Sequence, residues 1–142
     1  MSYMVTMKKT LMKYAYTILY VENVSKTLEF YERAFGFARK FLTPEHDYGE
    51  LISGETTIAF ASEELGNSNF KNGFQKVAKD KKPMGAELVF TTETIEEDFK
   101  KALASGATEY EPIINKPWGQ KVGYVRDNNG FLIEICTPIK ND

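Results

Sequence analysis

The sequence predicts an α+β fold: two tandem βαβββ modules forming a curved, half-barrel-like mixed sheet with helices on the outside. Three observations predict it. Short runs rich in Val, Ile, Tyr, Phe and Thr, bounded by turn residues, mark strands along most of the chain. Two longer segments carry an apolar stripe at helical spacing. The order strand, helix, three strands also occurs twice, with Phe35-Gly36-Phe37 and Gly106-Ala107-Thr108 closing the two helices in register. An internal repeat of this kind identifies a duplicated unit.

Module 1 spans residues 14–62. Tyr14 to Val21 reads as a strand bounded by Glu22-Asn23. Ser25 is the expected N-cap of a helix running to Phe35, with Leu28, Tyr31 and Phe35 on one stripe. Gly36 ends it, because glycine tolerates the left-handed conformation that closes a helix. Strands follow at Phe37 to Leu42, Tyr48 to Ser53 and Thr57 to Ala61. Residues 63–84 are polar and rich in Asn, Lys and Gly, and read as a linker with a short helix near Phe74 to Ala78. Module 2, residues 85–138, repeats the order. Gly85 to Thr92 is a strand, and Ile95 to Ser105 is a helix with Ile95, Phe99, Ala102 and Leu103 on its stripe. Strands at Glu109 to Ile113, Lys121 to Arg126 and Phe131 to Thr137 complete it. Asp127-Asn-Asn-Gly130 is the last hairpin turn. Residues 14–138 are thus expected to form a single domain behind an N-terminal extension, residues 1–13.

A chain of 142 residues buries about 70% of its unfolded surface, enough for a core without staples. With 42% hydrophobic and 27% charged residues it has the composition of a globular protein. A formal net charge of −2 and the lack of a basic stripe argue against a nucleic-acid partner. No apolar stretch approaches membrane-spanning length, so no membrane partner is expected. The opening segment has no apolar signal core and there is one cysteine, which together predict a cytoplasmic protein. Cys136 lies on a strand and reads as a buried thiol rather than a nucleophile. The only histidine, His46, falls in a hairpin loop and reads as a surface residue. There is no P-loop, dinucleotide fingerprint or nucleophile elbow, which counts against kinase, dehydrogenase and serine-hydrolase chemistry.

One residue breaks the pattern. In the last strand, Phe131, Ile133 and Ile135 alternate with Leu132, Glu134 and Cys136. Glutamate is poor strand material, and a buried unpaired carboxylate is costly. Glu134 therefore faces either water or something that repays the cost.

The residues around it resemble a known family. Tyr16-Thr-Ile-Leu-Tyr-Val, the Phe30-Tyr31 pair closing on Phe35-Gly36, Trp118-Gly119 and the final Asp127-Asn-Asn-Gly-Phe-Leu-Ile-Glu-Ile135 resemble the vicinal-oxygen-chelate superfamily. That superfamily includes glyoxalase I, bleomycin-resistance proteins, fosfomycin-resistance transferases and extradiol dioxygenases. The resemblance covers residues 14 to 138. It implies that the last-strand glutamate points into a cavity, where metal-dependent members hold a divalent cation with three further ligands. The matching positions here are Tyr16, Ala59, Glu87 and Glu134. Both usual histidines are absent, and Ala59 has no donor. Zinc, nickel and non-haem iron favour imidazole, so no metal or other cofactor is expected. If a divalent cation did bind, Glu87 and Glu134 would be its ligands.

Three roles remain open for these two glutamates. They can line a metal-free pocket, hold Mg²⁺ or Mn²⁺ with waters, or work as a general acid or base through a raised pKa. The pocket reading also draws on Tyr16 and Tyr20, which share a strand face, and on Trp118, next to a glycine at a strand start. The expected ligand-binding set is Tyr16, Tyr20, Glu87, Trp118 and Glu134, with Glu87 and Glu134 the catalytic candidates. The expected function is small-molecule binding of the bleomycin-resistance kind. The alternative is a divalent-metal-dependent glyoxalase-like lyase, isomerase or transferase. The resemblance further implies a homodimer.

Overall fold

The structure is a computed structural model that describes residues 11–139; most of the expected N-terminal extension lies outside them. Strand β1 (Thr17–Val21) leads into helix α1 (Val24–Phe35). The helix begins at Asn23 rather than Ser25: the Asn23 side chain accepts the N–H of Lys26 at 2.9 Å. That satisfies a first-turn donor one residue pair earlier than expected. Gly36 closes α1 at φ 75°. Strands β2 (Ala38–Leu42), β3 (Tyr48–Ser53) and β4 (Thr56–Ser62) follow.

The linker departs from expectation. Its helix, α2, spans Glu63–Asn69, and residues 74–78 are not helical. Ser62 caps α2 by accepting the N–H of Leu65 at 3.0 Å, and Glu63 and Glu64 complement the positive end of the helix. Downstream, the backbone carbonyls of Ala78, Lys79 and Lys81 accept from the Arg126 guanidinium instead of from a helix. Strand β5 (Glu87–Thr91), helix α3 (Ile95–Ala104) and strands β6 (Thr108–Asn115), β7 (Lys121–Arg126) and β8 (Leu132–Cys136) make up the second half.

The fold class is the expected α+β, and both halves are βαβββ. The strands divide into two four-stranded mixed sheets, ordered β1-β4-β3-β2 and β5-β8-β7-β6. In each, the first strand pairs parallel with the last, and the other pairings are antiparallel. The parallel pair requires a long crossover, which here contains the helix and two strands.

One face of each sheet packs on the helices. Val21, Leu51, Ile58 and Phe60 from the first sheet, and Val125, Ile133 and Ile135 from the second, join α1 and α3 in a single core. Tyr31 of α1 connects them: its ring centroid lies 4.9 Å from Phe60 and 6.5 Å from Phe90. Its hydroxyl donates to Asp127 at 2.6 Å, at the turn before β8. By strand alternation, the opposite face of each sheet points away from the helices.

Candidate functional site

On that second face, β5 and β8 run parallel, with Val89 opposite Glu134, while β7 and β8 set Tyr124 opposite Glu134. Glu87 lies two residues before Val89 and so shares its face. The Glu87 and Glu134 side chains come together on this face, and Tyr124 donates its hydroxyl to Glu134 at 3.1 Å. The Cys136 thiol lies near Glu134. Two carboxyls so placed can hydrogen-bond only with a proton between them. Partial burial raises the Glu87 pKa, helped by the hydrogen bond to Glu134 and by its charge. Burial, followed by the bond to Glu134, pushes the Tyr124 phenol up to about 12 and the Cys136 thiol up to about 11. Cys136 is buried and free of any disulfide. Its raised pKa leaves little nucleophilic thiolate at neutral pH.

The first sheet carries a second cluster. Tyr48 donates its hydroxyl to Glu50 at 2.5 Å, and Tyr16 lies nearby. Burial raises the Tyr48 pKa, as do Glu50 and Tyr16. Glu50 is only 7% exposed, and Lys40 Nζ lies 3.5 Å from it. Glu50 stands opposite Ala59 across the β3–β4 ladder, as Tyr124 stands opposite Glu134 across β7–β8. The two modules thus exchange the carboxylate: module 2 carries it on its last strand, module 1 on the neighbouring one. The sequence reading passed over Tyr48, Glu50 and Tyr124. Their period-2 spacing in YGELIS and KVGYVR was the available signal.

Of the five expected binding residues, the structure brings Glu87 and Glu134 together. Tyr16 belongs to the Tyr48–Glu50 cluster on the other sheet. Tyr20 packs against the linker, its ring 5.7 Å from Phe70 and 4.9 Å from Phe74. Gly66 of α2 seats against both Tyr20 and Phe74, where an added Cβ would fall within 2.8 Å of each ring. Trp118 lies in the β6–β7 loop, exposed, donating Nε1–H to Gln120, with Lys116 Nζ 5.9 Å from its ring centroid. Gln120 in turn donates to the Thr137 carbonyl, just past the end of β8. His46 is exposed in the β2–β3 loop at φ 60°.

The donor chemistry does not fit a four-ligand metal centre. Tyr16 lies near Tyr48 on a different sheet, Ala59 offers no donor, and only Glu87 and Glu134 come together. Among the described residues, no group of three or more His, Cys, Asp and Glu side chains is placed to hold a metal ion. No helix among them is long and apolar enough to cross a membrane.

Comparison with known proteins agrees with this architecture. A chain of Bacillus subtilis (strain 168), the uncharacterized protein YraH, is 28% identical over 124 residues, which cover 82% of this chain and 91% of that one. A glyoxalase-related enzyme from Fulvimarina pelagi superposes with a TM-score of 0.73 at 21% identity, over 90% of this chain and 89% of that one. A virulence protein from Salmonella typhimurium superposes with a TM-score of 0.61 at 27% identity, over 91% and 98%. The family model for the Glyoxalase/Bleomycin resistance protein/Dioxygenase superfamily matches residues 13–135, nearly the whole chain. The chain belongs to that superfamily.

Proposed function

We propose that this chain is a small-molecule-binding protein of the glyoxalase/bleomycin-resistance type that works without the full metal site. The observation that carries the reading is the pairing of Glu87 with Glu134, two neighbouring carboxyls on a sheet face shared with Tyr124 and Cys136, where desolvation and Glu134 raise the Glu87 pKa. Such a pair suits a cationic or polyhydroxylated ligand. An ammonium group seated between them can pair with both carboxylates. Tyr16 and Trp118 supply ring faces for a planar ligand.

The second copy of the homodimer that the family implies would complete the cavity. The sheet faces directed away from the helices expose Ile18, Val89 and Ile114, and the β6–β7 loop exposes Trp118, apolar area that a partner covers. β1 and β5 are edge strands, each paired on one side only.

The test is a thermal-shift series on chelator-stripped protein with Mg²⁺, Mn²⁺, Ni²⁺, Zn²⁺ and Fe²⁺, run beside a panel of aromatic amines and polyols. A ligand at ~100 times its Kd stabilises by about 2.7 kcal/mol, a rise of roughly 5–10 °C for this size of chain. The expected result is no ion-specific rise. At least one organic compound should bind saturably, indifferent to chelator, and lose its effect in Glu134→Gln. A rise with Mg²⁺ or Mn²⁺ that vanishes in Glu134→Gln would instead support a metal-dependent lyase, isomerase or transferase.

A further inference from the structure

The linker after α2 concentrates positive charge. Residues 70–84 hold five lysines and a single acid, Asp80, in a chain whose formal net charge is −2. The segment is not loosely draped. Arg126, buried at the end of β7, gives each of its three side-chain nitrogens to carbonyls: Nε to Gly130 at 2.9 Å, Nη1 to Lys79 at 3.0 Å and Lys81 at 2.7 Å, and Nη2 to Ala78 at 3.0 Å. In a trans peptide the carbonyl of one residue and the N–H of the next point opposite ways. The N–H groups of Lys79, Asp80 and Lys82 therefore turn away from Arg126. None of the three meets a backbone acceptor among the described residues.

The segment curls around a cavity of about 420 Å³, lined by the side chains of Lys76, Lys81 and Lys82 among others. Lys76 is 3.5 Å from Glu63, but Lys81 and Lys82 form no ion pair among the described residues. A second cavity of about 180 Å³ adjoins it along the edge of β1, walled by Ile18, Tyr20, Phe74 and Phe131. Gln75, Val77 and Met84 line both. An apolar groove thus opens into a cationic one, on a backbone that Arg126 has already ordered.

We propose that this double cavity binds a small amphiphilic oxyanion, its charged end among Lys76, Lys81 and Lys82 and its ring or short alkyl part against Tyr20, Phe74 and Met84. The unpaired ammonium groups of Lys81 and Lys82 and the outward N–H of Lys82 supply the donors that an oxyanion needs. The prior ordering of the segment lowers the entropic cost of binding. The site uses neither Glu87 nor Glu134, so it stands apart from the function proposed above.

Three naphthalene probes test it by isothermal titration at low salt: 1-naphthyl phosphate, 1-naphthoate and the neutral 1-naphthol. The expected result is saturable binding of the phosphate or the carboxylate, and the stronger of the two tells which oxyanion the site prefers. The alcohol should bind about tenfold or more weaker, the loss expected when charge-assisted hydrogen bonds go unmade. Lys81→Glu with Lys82→Glu should weaken anion binding by at least about tenfold, and Lys100→Glu on the far helix should leave it unchanged. Added salt should weaken it as well. Failure of both anions to bind the wild-type protein, equal binding of anion and alcohol, or binding that survives the double charge reversal would each overturn the proposal. An unchanged melting temperature shows that the variant has folded.

Discussion

Glu87 and Glu134 share a hydrogen bond only while one of them is protonated. The Glu87 pKa is raised above its ordinary 4.5, by partial burial first and then by Glu134. The folded protein therefore holds this proton more tightly than the unfolded chain does. The linked stabilisation is complete below the ordinary value and is lost as pH rises through the raised one. Glu87→Gln keeps a donor and cannot ionise. It should melt higher than wild type at pH 7.5, with the gap closing as pH falls toward 4. Thermal melts across that range check this, and a gap constant with pH would show that the pair is not proton-linked. The sequence identified both glutamates but not their pairing, because two residues 47 apart meet only once β5 and β8 are paired.

Between elements, a buried polar link joins α1 to the β7–β8 turn. The Tyr31 hydroxyl reaches Asp127 Oδ2 at 2.6 Å, and Asp127 Oδ1 accepts the N–H groups of Asn129, Gly130 and Phe131, each at 2.8 Å. Both side chains are buried, so the helix of the first module is pinned to a turn of the second. Tyr31→Phe removes one bond from a buried acidic group and should cost about 2 kcal/mol, the range for hydrogen bonds to charged acceptors. Urea denaturation measures it; a loss near zero would mean that Asp127 finds water instead. The sequence placed Tyr31 on an apolar stripe and Asp127 in a turn, both correctly. Their meeting, 96 positions apart, depended on how the two modules pack.

At the scale of the whole molecule, the exposed apolar faces and the edge strands β1 and β5 set the expectation for assembly. Specific interfaces bury roughly 1,200–2,000 Å² in total, an area within reach of two sheet faces. Sedimentation equilibrium should give about twice the chain mass of 16.2 kDa. Ile18→Asp combined with Val89→Asp should shift the equilibrium to monomer with the circular dichroism unchanged, since both side chains point away from the core. A monomer in the unmutated protein would leave the carboxyl pair on an open surface and count against the cavity.

The sequence by itself determined the repeat, the β-rich character of both halves, the stripes of α1 and α3, and the two glutamates that break strand patterning. Those are local properties: period, propensity and the cost of a charge in an apolar run. Only the tertiary structure decided the rest. Asn23 displaced Ser25 as the cap because its side chain reached the first-turn N–H group. Residues 74–78 are not helical, and Arg126, far along the chain, holds the Ala78, Lys79 and Lys81 carbonyls at the end of that stretch. Tyr16 came near Tyr48 and Glu50 because β1 and β3 both pair with β4, and a side chain's neighbours across a sheet are set by strand pairing rather than by distance along the chain.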